Sequence, residues 1–135
     1  MKILIMGLSG SGKTFLSKLL QKELLCAWYN ADNLREMAND WDFSDEGRKR
    51  QSFRMKALAD FEKENGRMVI CDFICPTREA RKIFNADYCI WMDTIKESNY
   101  KDTDNIFEEP LKFNLKISKW DQYSPSQVAN FIKNV

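Results

Sequence analysis

Gly7-Leu8-Ser9-Gly10-Ser11-Gly12-Lys13-Thr14 decides how the rest of this 135-residue chain is read. The run satisfies the spacing Gly-x-x-x-x-Gly-Lys-(Ser or Thr), the phosphate-cradling P-loop. Glycines let the backbone wrap closely, so that its N–H groups face phosphate oxygens. A helix opening near Gly12 adds its positive N-terminal end. In this pattern Lys13 reaches the β- and γ-phosphates and the Thr14 hydroxyl ligates Mg2+. The expectation is a site for ATP and magnesium built from Gly7, Leu8, Ser9, Gly10, Ser11, Gly12, Lys13, Thr14 and Phe15. The flanks agree. Residues 2–6 form a short apolar run suited to a buried parallel strand, and residues 13–25 carry Phe15, Leu16, Leu19, Leu20 and Leu24 at helical spacing. A glycine-rich turn with a chance Lys-Thr would lack both flanks.

Beyond the loop, strand and helix signals alternate. Residues 26–29 read as a second strand, and Asp32 as the cap of a brief helix through Ala38. Residues 40–43 are a turn or loop. Ser44 is a fair N-cap for a helix to about Asn65, with Phe53, Leu58 and Phe61 on its inner side and Gly66 ending it. Residues 68–73 and 88–92 read as further strands, with a helix over 77–84 between them. Residues 94–110 are polar and irregular, 111–117 alternate like a strand, and Ser124-Pro125 opens a last helix. No repeat or linker divides the chain, which predicts one domain over residues 1–135. The fold class is α/β: a three-layer P-loop NTPase fold with a mainly parallel five-stranded sheet flanked by helices. Ligands in such folds sit at the carboxyl ends of the strands, where each motif in this chain falls.

Composition narrows the function. The net charge is +1, from 21 basic and 20 acidic side chains, which argues against long nucleic acid or an anionic membrane as the main partner. No apolar stretch is long enough to span a membrane. The absence of histidine removes His-based zinc sites and His general bases. Cys26, Cys71, Cys75 and Cys89 lie in or beside apolar runs without a Cys-x-x-Cys pair, which reads as buried free thiols in a reducing cytoplasm. A GTPase would need a base-reading Asn-Lys-x-Asp motif, and the chain has none. At this size, a small-molecule kinase is the better reading.

The acceptor side follows the second strand. In Asn30-Ala31-Asp32-Asn33-Leu34-Arg35, Asp32 could take the proton from an acceptor hydroxyl or help hold the metal, and Arg35 could hold an anionic substrate. The plainer reading makes Asp32 a helix cap and Arg35 a solvated cation. Arg48 or Arg54, on the helix opened by Ser44, could grip phosphate or sulfate, whereas Lys49 and Arg50 read as plain surface. Asp72 ends the third strand, where a carboxylate can position Mg2+ through water; capping of the next helix is the alternative.

These residues, in this order, resemble the adenylylsulfate kinases, which phosphorylate the 3′-hydroxyl of adenylylsulfate with ATP. The P-loop is nearly the family's own. Asp32-Asn33-Leu34-Arg35 is similar to its Asp-Gly-Asp-Asn-(Val or Ile)-Arg box. Phe43-Ser44 with Arg48 and Arg54 resembles its Phe-Ser segment and the arginines that follow. Phe73-Ile74-Cys75-Pro76 with Arg81 resembles Phe-Ile-Ser-Pro and its Asp-Arg. Asp93-Thr94 is similar to Asp-Thr-Pro, and Asp104 with Phe107-Glu108-Glu109-Pro110 to Asp and Tyr-Glu-x-Pro. The resemblance spans residues 3–110. It implies that Lys13 and Asp32 are catalytic, that Arg35 and Arg48 bind the anionic groups of a nucleotide substrate, and that Phe43 stacks on its adenine beside Ile74. A core role for Phe43 is the competing reading. Thr14 and Asp72 are the candidate metal ligands.

Several positions depart from the family's pattern. The first Asp of the box is Asn30 and its glycine Ala31. The arginine segment has Gln51 for Asn and Phe53 for Arg. Cys75 stands where some members carry a serine proposed to hold phosphoryl, and Asp72 stands where a small hydroxyl residue is usual. The family's basic lid is replaced by a short acidic-polar stretch over residues 95–103, so water exclusion and half of the adenine clamp are lost. A homodimer whose subunits close each other's sites would supply that cover. The other readings are a polynucleotide or nucleoside kinase and a nucleotide-binding regulator without turnover.

Overall fold

A computed structural model describes residues 1–135. Five strands form one sheet: β1 (Lys2–Met6), β2 (Ala27–Asn30), β3 (Val69–Asp72), β4 (Tyr88–Met92) and β5 (Leu115–Ile117). Their spatial order is β2-β3-β1-β4-β5 and every pairing is parallel. Six helices complete the chain: α1 (Lys13–Leu24), α2 (Ala31–Ala38), α3 (Asp45–Glu64), α4 (Arg78–Phe84), α5 (Lys101–Ile106) and α6 (Pro125–Lys133). This is the expected three-layer P-loop architecture.

The period-2 geometry of β1 divides the core. Ile3 and Ile5 join Leu16, Leu20, Ile90, Val128 and Ile132 under α1 and α6, whereas Leu4 and Met6 join Met55, Ala59, Phe73 and Phe84 under α3 and α4. Residues 3–6 are all essentially unexposed, so each contributes about 1.5–3 kcal/mol as an upper bound. Such two-sided burial is why the run is continuously apolar rather than alternating. Lys2 is the polar exception. Its ammonium donates to the Phe84 carbonyl and pairs with Asp60 at 2.7 Å, so the buried charge is not left alone.

Helix ends follow local chemistry, with one change from expectation. Ser44 accepts from the Gly47 N–H, Thr77 from Ala80, and Ser124 forms a full capping box with Gln127. The cap of α2, however, is Asn30, which accepts from the Asn33 N–H; Asp32 sits inside the first turn, released from capping. The expected inner face of α3 is also displaced. Phe53 and Phe61 are 52% and 59% exposed, and the buried side is Gln51, Ser52, Met55, Ala59 and Glu62. The polar members inside are partnered in part: Gln51 donates to the Ala31 carbonyl, and Glu62 Oε1 accepts from the Tyr29 hydroxyl, while Glu62 Oε2 has only the Arg67 guanidinium at 3.3 Å and no hydrogen bond. The strand expected over 111–117 is paired only at Leu115–Ile117, and the irregular 94–110 segment contains α5. All four cysteines are free; Cys26, Cys71 and Cys75 are buried and Cys89 is partly so.

Candidate active site

β1 ends in Met6, and the chain turns through Gly7 (φ 147), Gly10 (φ 87) and Gly12 (φ 100) before α1 begins. A Cβ on Gly7 would lie 2.4 Å from the Met92 carbonyl oxygen, so that position excludes any side chain. The backbone N–H groups of Gly10, Gly12, Lys13 and Thr14 make no backbone hydrogen bond. Four unpaired donors at a helix N-terminus suit a polyphosphate. The Lys13 ammonium, with no anion beside it, donates to the Leu8 carbonyl at 2.9 Å. Burial lowers its pKa to about 8, against the pull of Asp72 and then Asp32, so both carboxylates lie within electrostatic reach. Thr94 donates to the Ser11 carbonyl at 2.8 Å and ties the loop to the end of β4. Phe15, in the first turn of α1, has a 67% exposed side chain.

At the ends of β2 and β3 the register places Asn30 beside Asp72. The Asn30 amide donates to Asp72 at 3.0 Å and to the Thr14 hydroxyl at 3.2 Å. Trp28, two residues earlier on the same side of β2, donates its indole N–H to the other Asp72 oxygen at 2.5 Å. Burial raises the Asp72 pKa, while Trp28, Lys13 and Asn30 pull it down. Thr14 and Asp72 are hard oxygen donors held in one network, a donor set that fits a magnesium ion sharing its shell with phosphates and water.

Beyond the end of β3 a cavity of about 360 Å³ is lined by Asp32, Arg35, Phe43, Arg48 and Ile74 among others. All five predicted acceptor-side residues meet there. Arg35 is buried, and donates to the Asp40 and Asp42 carbonyls at 2.9 and 3.3 Å. Phe43 is half-exposed rather than core; its ring lies 4.4 Å from the Arg35 guanidinium and 5.7 Å from that of Arg48. Arg48 donates to the Phe43 carbonyl at 2.8 Å and reaches Thr103 and Asp102 of α5 at 3.5 and 3.6 Å. The segment over 95–103 therefore runs into α5, which is joined to the acceptor cavity through Arg48, and Ile106 at the end of α5 lines that cavity.

Some predicted residues serve the scaffold instead. Arg54 is engaged by Asp40 at 2.9 Å and by Gln51; together with Arg50 it holds the Asp40 carboxyl well below the usual range. Cys75 adopts a left-handed backbone (φ 47), and burial pushes its thiol far up. Arg81 donates to the carbonyls of Cys75, Pro76 and Glu108, which clamps the 73–76 loop to the 107–110 segment.

Trp120 went unread in the sequence. It lies in the loop between β5 and α6, 59% exposed, and its ring packs on Gly12: a Cβ there would stand 2.5 Å from the indole. No periodicity or capping pattern marks an aromatic in an irregular loop. Trp28 was equally silent, since a strand aromatic reads as core.

A sequence model of the adenylylsulphate kinase family matches residues 1–90. An adenylyl-sulfate kinase from Bacillus licheniformis is 39% identical over 85 residues, 58% of this chain and 43% of that protein. One from Thermodesulfovibrio yellowstonii is 30% identical over 123 residues, 82% of this chain and 62% of that protein. The chain thus spans about half the length of the curated relatives it matches. Among solved structures, the Mycobacterium tuberculosis APS kinase CysC in complex with AMPPNP and APS superposes with a TM-score of 0.76 at 22% identity, covering 98% of this chain and 95% of that one. With the family's pattern matched over two-thirds of its residues and the fold shared throughout, this chain belongs to the adenylylsulphate kinase family.

Proposed function

We propose that this protein is an ATP-dependent kinase that transfers the γ-phosphoryl group to the 3′-hydroxyl of adenylylsulfate. The observation that carries the proposal is that Lys13 of the P-loop lies within electrostatic reach of both Asp72, which is linked to Thr14 through Asn30, and Asp32, which lines the acceptor cavity with Arg35 and Arg48. Family membership supplies the reaction class.

The unpaired N–H groups of the loop would bind the phosphates, and Lys13 would leave the Leu8 carbonyl for the β- and γ-oxygens. Thr14 and Asp72 would hold magnesium, which supplies charge neutralisation on the phosphates. Asp32, free of capping duty, would orient the acceptor hydroxyl and accept its proton. Arg35 is pre-positioned by two carbonyls, so it would hold an anionic group with little further loss of freedom. Phe43 would offer its open face to the acceptor's base. On the donor side, the Trp120 indole beside Gly12 would give the ATP base a flat partner in place of a lid residue. Acting in line, these groups position and stabilise charge rather than form covalent bonds.

A kinase for a less anionic acceptor, such as a nucleoside, is the second reading. It is favoured by Asp45, Glu46 and Glu79, which line the same cavity and offset its arginines. Magnesium-dependent ADP release, measured with adenylylsulfate, nucleosides and oligonucleotide 5′-hydroxyls against a Lys13→Ala blank, separates the readings. Stimulation by adenylylsulfate alone supports the first. Stimulation by nucleosides alone replaces it with the second, and ATP binding without stimulated turnover leaves a nucleotide-binding regulator.

A further inference from the structure

Asp72 is 2% exposed, and both oxygens of its carboxylate are held from one neighbouring strand. Residues 28 and 30 of β2 share a face, so Asn30 donates to one oxygen at 3.0 Å and Trp28 to the other at 2.5 Å. The Ser17 hydroxyl beside the carboxylate is committed to the Lys13 carbonyl at 2.7 Å. Lys13, the cation that acts on Asp72, donates to the Leu8 carbonyl instead. Both donors to Asp72 are therefore neutral, and the negative charge stays on the carboxylate. A buried carboxylate is costly without a positive partner, so this arrangement suits a cation that arrives from outside the chain.

We infer that Trp28 is a positioning residue for magnesium: its indole N–H fixes the Asp72 carboxylate in the orientation that serves the ion shared with Thr14. This role rests on the reading of Thr14 and Asp72 as magnesium ligands and is independent of which acceptor the kinase uses. The chemistry of an indole suits the place. Its nitrogen donates and cannot accept, so it never competes for the metal. An arginine or lysine would neutralise the carboxylate, and a histidine could ligate the ion itself. An ionised carboxylate has about four acceptor sites. Trp28 and Asn30 take two, and the rest stay open to a metal ion or its water. The ring of Trp28 also packs against the core under α1 and α6. Packing alone explains an aromatic ring, but not a nitrogen aimed at a buried carboxylate. Partners that orient a metal ligand in this way typically matter by about 10–100-fold in affinity or activity.

Equilibrium dialysis with the non-hydrolysable ATP analogue AMPPNP, in EDTA and in saturating Mg2+, separates nucleotide binding from metal binding. Magnesium should tighten binding to the wild type. Trp28→Phe keeps a ring and removes the N–H, so it should remove most of that gain, up to about 10–100-fold. Affinity in EDTA should stay within about twofold, since the nucleotide's own contacts are untouched. Asp72→Asn should remove the same gain, and Trp28→Phe should add nothing further in its background. A purely structural Trp28 would instead cost affinity in EDTA, and would do so beside Asp72→Asn as well. In a proton–nitrogen NMR spectrum the Trp28 indole signal, assigned by its loss in Trp28→Phe, should move upfield in Asp72→Asn. It should also shift when Mg2+ is added to the AMPPNP complex. A magnesium gain left whole by Trp28→Phe overturns the proposal, as does a wild type whose AMPPNP affinity ignores magnesium. If Thr14→Ala and Asp72→Asn leave the gain whole too, the metal assignment itself fails. If those two remove it and Trp28→Phe does not, only the role of Trp28 fails.

Discussion

Asn30 donates its side-chain amide to Asp72 at 3.0 Å, across a rung of the β2–β3 ladder in which the two are register partners. In the family's pattern a carboxylate occupies the Asn30 position and a small hydroxyl residue the Asp72 position. This chain carries the acidic group one strand over, with an amide in its former place. Carboxylates at both positions would repel and drive one to protonate.

That exchange predicts strong coupling between the two sites. Asn30→Asp should lower magnesium-dependent kcat/KM by about 10–100-fold, the loss typical of a group that hydrogen-bonds to metal ligands. Combining it with Asp72→Asn should recover at least about tenfold, an interaction well above the coupling of independent sites. Strict additivity in the double-mutant cycle would show that the two side chains do not function as a pair.

Lys13 makes nucleotide binding pH-dependent. Burial lowers its folded pKa to about 8, below the value near 10.4 expected for an exposed lysine. The cost of burying its charge is therefore present in full below pH 8, and shrinks as the pH rises between about 8 and 10.4. A bound triphosphate favours the charged form, so binding at pH 8.5 should take up more than about half a proton. Affinity should fall as the pH climbs past 8, and Lys13→Met should abolish both effects. Calorimetry in two buffers of different ionisation enthalpy reads the uptake directly; none at pH 8.5 would place the Lys13 pKa elsewhere.

Trp120→Ala should weaken ATP binding by about 5–150-fold, the range of a lost stacking partner. Trp120→Phe should keep most of the affinity. Equilibrium dialysis with ATP and with inorganic triphosphate tells the two roles apart. Loss for ATP only assigns Trp120 to the base, and equal loss for both assigns it to the shape of the loop.

Leu25 ends α1 in the left-handed conformation (φ 51) while 89% exposed. The equivalent caps of α2 and α4 are asparagines, Asn39 and Asn85. Leu25→Gly should stabilise by about 0.5–1 kcal/mol, as relief of the Cβ clash outweighs added freedom in the unfolded chain. Thermal denaturation should show a rise of about 2–6 °C; a fall would mean that Leu25 makes a contact worth more than its strain.

Disrupting the link between α5 and the cavity tests the reduced lid. Asp102→Ala removes an exposed partner from Arg48 at 3.6 Å, so its effect on stability should stay within about 0.5 kcal/mol. If Arg48 binds the acceptor's anion, freeing it should lower the acceptor KM while leaving the KM for ATP unchanged.

The sequence by itself determined whatever rests on neighbours in the chain. The P-loop needs eight consecutive residues, β1 needs an unbroken apolar run, and the Ser44, Thr77 and Ser124 caps act within three positions. Parallel layering followed from the alternation of these elements. The grouping of Asp32, Arg35, Phe43, Arg48 and Ile74, which line one cavity, was implied in the sequence by the resemblance of its ordered motifs to those of the family. Only the tertiary structure decided which distant groups meet. Asn30 reaches Asp72 through a strand register that no local pattern encodes, and Trp120 reaches Gly12 from a loop without periodicity. The orientation of α3 was decided in the same way. Counting apolar residues puts Phe53 and Phe61 inside, yet packing puts Gln51 and Glu62 there, where Gln51 donates to the Ala31 carbonyl at the start of α2 and Glu62 accepts from the Tyr29 hydroxyl of β2, partners that lie far away in sequence.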